Sequence, residues 1–325
     1  MKIGVTGASG HIGSNLNKIL IARGYDVRVL QHNDRRGFEG LDVEIVKGSL
    51  NDTNSLKQFC KDIDVVFHLA AKISIGLNSY ELLHEVNCQG TKNLVNECKR
   101  AGVKRLIYFS SIHALKHEPV DEAMDENRPL QKEAINPYEK TKALAEEWVL
   151  EQAAGDFEII VLNPTAGIGP NDYRPSLMGQ MLIKLYKGKL PVLVPGGYNW
   201  VDVRDVATAA ANAIEKGRSG ERYILSGEWQ TLKGIADIMS KVCERKIFNI
   251  VVPTQIAKFA LPFITLWSKV TGNRPLYTKQ SLQIINNVNK NVLSDKSRKE
   301  LDFTSRPLSE SIQDTMLWFK ENNYI

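Results

Sequence analysis

Tyr138 and Lys142 stand four residues apart in Asn136-Pro-Tyr-Glu-Lys-Thr-Lys142, and a phenol beside an ammonium can move a proton. Positions i and i+4 share a helix face. Asn136 and Pro137 suit a helix start, and 140–150 continues as a good helix. The two side chains are therefore expected to point the same way. A free phenol titrates at about 10, and a neighbouring cation lowers that value. The spacing predicts a tyrosine that exchanges its proton near neutral pH.

A second pattern opens the chain. In Thr6-Gly-Ala-Ser-Gly-His-Ile-Gly13 the glycines Gly7, Gly10 and Gly13 are three apart, after a strand and before a helix. Glycines permit close backbone approach, and a helix N-terminus offers unpaired N–H groups to a pyrophosphate. Gly7, Ser9, Gly10, His11, Ile12 and Gly13 are thus candidate cofactor contacts. With the Tyr–Lys pair, they point to hydride transfer coupled to proton transfer. The end of the second strand is expected to select the cofactor. Gln31 stands where an acid would hold the ribose of NAD, and His32, Arg35 and Arg36 follow. This favours NADP through pairing with a 2′-phosphate, while Asp34 keeps NAD open. Val66-Phe-His-Leu-Ala-Ala71 ends a further strand, where Leu69, Ala70 and Ala71 allow close contact with a dinucleotide and His68 reads as a packed structural histidine. Asn87 is expected to bond backbone between strands and to order a water.

The elements that must position these residues alternate. Strands are expected over 2–6, 26–30, 43–47, 65–69, 105–110 and 158–163, with helices over 12–23, 54–60, 80–101 and 138–153. Short, nearly all-apolar strands between helices predict an α/β fold, a doubly wound parallel Rossmann sheet with both faces covered. Beyond Pro164 a loop is expected over 167–172, strands over 190–194 and 222–225, and helices over 176–187, 202–216, 232–244, 256–270 and 308–321. The four asparagines of 286–291 read as a surface loop. The expected division is a dinucleotide-binding domain over 1–170, with 200–226 returning to it. A smaller, mostly helical substrate lobe is interleaved from 171–199 and 227–325.

Composition narrows the function classes. The 325 residues are 43% hydrophobic and 24% charged, an ordinary globular balance, and 42 Lys and Arg are scattered among 37 Asp and Glu. No basic stripe of the kind nucleic acid needs is present. Cys60, Cys88, Cys98 and Cys243 show no CxxC pairing and read as reduced thiols, and no metal ligand set is expected. Strand-like residues begin at Lys2, so no signal peptide is expected and a cytoplasmic location follows. The apolar stretch from Ile256 to Val270 contains Lys258, Pro262 and Lys269. It falls short of the roughly 20 residues of a membrane span and reads as a substrate-lobe helix or as a surface touching a membrane or an apolar partner.

Taken in order, TGxxGxxG, HxAA, NxxGT, a serine pair after a strand, YxxxK and a proline turn resemble the extended short-chain dehydrogenase/reductases, the NAD-dependent epimerase/dehydratase superfamily. The likeness runs over nearly the whole chain, including 199–206, 220–225 and 294–319. It implies that Ser111 bonds the substrate oxygen, Tyr138 gives or takes its proton, and Lys142 bonds the nicotinamide ribose and favours phenolate. Ser110 would lie nearer the nicotinamide. Ser49, Leu50, Pro164, Thr165 and Ala166 would be further cofactor contacts. Nucleotide-sugar enzymes of the family often carry arginines where this chain has Asn163 and Tyr198, and 163–170 looks like the dihydroflavonol-4-reductase-like branch. Candidate substrate contacts are Lys72, Ser74, His113, Asn163, Asp172 and Tyr173, with Phe259, Phe263 and Trp267 either lining an apolar pocket or packing a core. Three readings stay open: a carbonyl reductase or alcohol dehydrogenase, a nucleotide-sugar epimerase or dehydratase, and a binding or redox-sensing protein that keeps only the fold. The partner is a small molecule, and family members are often homodimers.

Overall fold

The computed structural model describes residues 1–73, 79–257, 259, 285 and 288–325. β1 (Lys2–Thr6), α1 (His11–Ala22), β2 (Asp26–Gln31), β3 (Glu44–Lys47), α2 (Thr53–Cys60) and β4 (Val65–His68) build one half of the main sheet. α3 (Tyr80–His84), α4 (Gly90–Ala101), β5 (Arg105–Phe109), α5 (Pro137–Leu150) and β6 (Glu158–Pro164) build the other. Then come β7 (Ala166–Ile168), α6 (Leu177–Tyr186), β8 (Val192–Leu193), β9 (Gly197–Asp202), α7 (Val203–Lys216), β10 (Glu221–Leu225), β11 (Glu228–Thr231), α8 (Leu232–Val242) and β12 (Ile250–Val251). Helices Asp295–Leu301 and Leu308–Glu321 close the chain.

The main sheet has seven strands in the order β3-β2-β1-β4-β5-β6-β10, every pairing parallel. Its inner strands are buried on both faces, which is why they read as unbroken apolar runs. Ile3, Val5, Ile107, Ile160 and Leu162 pack on one side with α1 and α7. Val66, Leu106, Tyr108, Ile159 and Val161 pack on the other with α2, α4 and α5. The strand order reverses between β1 and β4, and ligands of such sheets bind at the carboxyl ends flanking that reversal.

Several local expectations fail for identifiable reasons. The segment 80–101 is not one α-helix: a wider, π-helical turn over Glu85–Gln89 separates α3 from α4. The expected loop at 167–172 begins as β7, which pairs with β9. β9, where no strand was expected, is buried along its whole length and pairs with β11 on its other edge. Its Tyr, Trp and Val suit a strand. Asn289 is fully buried, not a surface residue, and donates to the Glu122 carbonyl at 2.6 Å. A second core around Trp200, Leu182, Ile235 and Phe319 lies under β9, α6, α8 and the last helix. Of the helix expected over 256–270, residues 258 and 260–270 lie outside the described residues. Among the described residues no helix is long and apolar enough to cross a membrane.

Candidate active site

The glycine turn sits at the carboxyl end of β1. Gly7 has a φ of +72°, and a Cβ there would lie 2.6 Å from the Ala70 nitrogen at the end of β4. A Cβ on Gly13 would lie 2.3 Å from the Gly7 carbonyl oxygen. Gly10 caps α1 without any side-chain hydrogen bond, so the first-turn N–H groups at His11, Ile12 and Gly13 keep no intrahelical partner. This is a cradle of the shape and polarity a pyrophosphate needs. His11 does not face such a ligand freely: its Nε2 lies 2.9 Å from the Gly169 carbonyl and its Nδ1 3.8 Å from Asp172. Asp172 in turn accepts from the Ser176 amide at 2.8 Å and the Ser176 hydroxyl at 2.9 Å. At 1% exposure it anchors the start of α6.

Ser111 ends the backbone after β5, and α5 begins at Asn136, whose side chain accepts from the Tyr138 amide at 2.9 Å. Pro137 takes the first helical position, where a missing N–H costs nothing. The two elements bring the Ser111 hydroxyl beside the Tyr138 phenol, near enough to pull its titration down. One turn further, Lys142 Nζ donates to the Phe109 carbonyl at 2.7 Å and to the Tyr108 hydroxyl at 3.2 Å. An ammonium has three donors, so a third is left beyond these two.

The titration of this group corrects the sequence expectation. Burial raises the Tyr138 phenol above its ordinary value, and the neighbouring Ser111 hydroxyl only partly opposes this. Lys142, buried and 2% exposed, is itself depressed to about 8 by desolvation. Its ammonium is turned to backbone and to Tyr108, so burial outweighs it at Tyr138. The phenol is therefore protonated at neutral pH, ready to donate.

The other predicted residues divide. Leu69 and Ala70 line the glycine turn, and the short helix at Arg36–Phe38 packs on it, a Cβ at Gly37 falling 2.7 Å from Ser9 Cα. That places Gln31 and Arg36 beside the turn. Arg36 is held by Asp34 at 2.7 Å and Arg35 by Glu39 at 2.8 Å, while His32 is exposed. Ser49 caps the turn before α2 through Asn51, and Leu50 packs against Gly90. Ala71 is exposed at the end of β4, and Ser74 lies outside the described residues. Asn87, in the π-helical turn, clamps the backbone of Lys72, accepting from its amide at 2.8 Å and donating to its carbonyl at 3.1 Å. Ser110 is 7% exposed and its hydroxyl has no protein partner. Pro164 ends β6 beside it, and Thr165 donates from its amide to the Leu225 carbonyl at 3.1 Å, with Ala166 opening β7. His113 packs edge-on to Tyr138 with ring centres 6.4 Å apart. Together with His117, Thr165, Ala166, Tyr198 and Asn199 it lines a cavity. Tyr173 is elsewhere, packed on Trp318 and tied through its carbonyl to the Tyr324 hydroxyl. Phe263 and Trp267 lie outside the described residues, and Phe259 is 85% exposed.

Asn163 is fully buried, and both of its amide hydrogens are used, toward the Ser111 carbonyl at 3.0 Å and Glu146 Oε2 at 2.8 Å. It fixes the Ser111 backbone, while its Oδ1 is buried without a protein partner. Glu146, which the sequence reading missed, pairs with Arg222 at 3.0 Å with no exposure of its own. It lies four residues past Lys142 on the same helical face, a spacing that would have revealed it.

Residues 3–226 match the family model described as NAD dependent epimerase/dehydratase family. The chain belongs to the NAD-dependent epimerase/dehydratase family. Sterol demethylase protein B of Methylococcus capsulatus is 32% identical over 99% of both chains. A putative dihydroflavonol 4-reductase of Synechocystis is 29% identical over 99% of this chain and 95% of that one. The crystal structure of gox2253 superposes with a TM-score of 0.86 at 30% identity, over 99% of both chains. The family match ends at Ser226, directly after β10, the last strand of the main sheet.

One residue of this family member's sheet gives it a pH signature. His68, as the sequence suggested, is structural: its nitrogens lie 2.7 Å from the Thr6 hydroxyl and 2.9 Å from the Thr91 hydroxyl. Burial depresses it from 6.5 to about 3. Between these values the unfolded chain binds a proton that the native state refuses. The stabilisation is complete above the unfolded value and declines as pH falls through the window. Urea midpoints are expected to drop from pH 7 to pH 5, and to drop less in His68→Asn. An identical pH slope in that variant contradicts the assignment.

Proposed function

We propose that this family member is a dinucleotide-dependent carbonyl reductase, also able to run as the alcohol dehydrogenase. The observation that carries the proposal is the buried grouping of Ser111 and Tyr138 at the carboxyl edge of the sheet, with Lys142 one turn away and held by Phe109 and Tyr108. When bound, the reduced nicotinamide supplies the hydride. The balance is carbonyl plus hydride plus one proton, giving the alcohol and the oxidised dinucleotide. Ser111 donates to the carbonyl oxygen and orients it. Tyr138, kept protonated by burial, gives that oxygen its proton as charge develops there. Lys142 keeps a third donor for the ribose while Phe109 and Tyr108 fix its position. The glycine turn and the uncapped start of α1 take the pyrophosphate.

The substrate side supports an apolar ketone, aldehyde or alcohol. Next to His113 lies a small hollow of about 10 Å³, whose wall of Ile112, Ala166, Val288 and Val292 offers apolar contact to the part of a substrate nearest Tyr138. A nucleotide diphosphate needs arginine clamps, and the positions expected to supply them are Asn163, already committed to Ser111, and Tyr198. Arg204 is engaged by Asp202 and Asp314, each at 2.7 Å. The names of the two full-length relatives, a sterol demethylase protein and a putative dihydroflavonol reductase, fit multi-ring alcohols or ketones.

For the cofactor, Gln31 leaves room for a 2′-phosphate, and Arg36 can exchange Asp34 for it. NADPH is expected to bind more tightly than NADH. The deciding experiment screens sterol ketones, aldehydes, flavonoid ketones and sugar nucleotides with purified protein, following absorbance of each reduced dinucleotide. Stoichiometric oxidation with a ring ketone is the expected result, faster at low NADPH than at equal NADH. Conversion of a sugar nucleotide with no net dinucleotide consumed would replace the reductase reading by an epimerase.

A further inference from the structure

Beside the Ser–Tyr pair the fold gathers three potential ligands from two separate segments. His113 lies in the short helical turn Ile112–Ala114 after β5, His117 follows it by four residues, and Glu139 follows Tyr138 on α5. His113 Nδ1 lies 3.2 Å from His117 Nε2 and 3.9 Å from Glu139 Oε1, and one donor atom from each residue falls within 4.8 Å of the other two. A tetrahedral zinc ion with bonds of about 2.0–2.1 Å sets its ligand atoms about 3.3–3.5 Å apart. The histidine pair, at 3.2 Å, is slightly closer than that spacing and the carboxylate, at 3.9 Å from His113, slightly farther, so small side-chain rotations would bring all three onto one ion.

Two further observations point to a cation. Glu139 is 8% exposed, and although Gln131 hydrogen-bonds it, among the described residues no lysine or arginine forms an ion pair with it. A buried carboxylate calls for a charged partner. Both imidazoles also line the cavity that the proposed substrate would enter, so three protein ligands there leave a coordination position on the open side.

We propose that His113, His117 and Glu139 hold one divalent transition-metal ion of the zinc class next to Tyr138, its fourth position facing the substrate cavity. Two imidazoles and one carboxylate are a borderline donor set, suited to zinc or cobalt and poorly suited to magnesium or calcium. The site stands independently of whether the substrate is a ketone or a sugar nucleotide.

The test uses the full-length chain, stripped with chelator and dialysed against zinc, with bound metal measured per chain. Cobalt titration then reads the ligand field in the visible region. One ion per chain is expected, with tetrahedral cobalt bands and no thiolate charge-transfer band, since Cys60 and Cys98 lie in a separate buried pair. His117→Gln and Glu139→Gln should each weaken zinc at least about 100-fold, more than loss of an outer-shell partner, while His84→Ala leaves it unchanged. Far-UV circular dichroism checks that the variants fold. Wild-type protein that retains no zinc, or variants that retain all of it, would overturn the proposal and leave the two histidines as a hydrogen-bonded pair; the wild-type measurement decides even if a variant fails to fold.

Discussion

Tyr138→Phe is expected to lower turnover by about 10²–10⁴-fold, the usual worth of a positioned general acid, while dinucleotide affinity and thermal midpoint stay close to wild type. The phenol is buried beside Ser111. Removing its oxygen therefore deletes the proton source and little packing. The loss should appear in kcat more than in KM, because the proton moves only as charge develops on the substrate oxygen. Ser111→Ala is expected to act in the same direction. Steady-state rates at saturating dinucleotide, with any substrate found by the screen, decide the matter. A Phe variant within a few fold of wild type would remove Tyr138 from the chemistry.

The second large effect belongs to a residue that touches no substrate. Glu146→Ala should destabilise the chain by about 3–5 kcal/mol, the cost of breaking one side of a buried ion pair. Arg222 would lose its partner at 3.0 Å, and Asn163 would lose one of its two acceptors. Since the other acceptor is the Ser111 carbonyl, the hydroxyl beside Tyr138 would also lose its backbone support. Glu146→Gln keeps an acceptor for Asn163 but leaves Arg222 uncompensated. It should therefore retain more activity than stability. Urea unfolding and kcat measured on both variants test this. An alanine variant as stable as wild type would show that the pair is not holding the site.

The main sheet was legible because its strands carry apolar runs that only a doubly covered sheet explains, and because glycine spacing and strand ends mark where a ligand fits. Tyr138 and Lys142 were legible because helical spacing is a local property. What escaped is non-local. No element was expected at β9, whose strand is set by its pairing with β7 and β11. Asn163, read as a candidate substrate contact, spends its hydrogens on Glu146 and Ser111. The phenol was expected to be acidified by Lys142. Burial, which a sequence does not display, reverses the direction. The cluster of His113, His117 and Glu139 needed the fold to bring a loop against α5. The same holds for Arg35 and Arg36, which look like free cations in sequence and are paired with Glu39 and Asp34 in space.

The most direct measurement is a crystal structure of the chain grown with reduced dinucleotide. Pyrophosphate density should lie against the first turn of α1, over Gly10 to Gly13, with the ribose on Lys142 and the nicotinamide between Ser110 and Tyr138. Density at another edge of the sheet, or a nicotinamide ring turned away from the phenol, would contradict hydride and proton delivery to one substrate carbonyl.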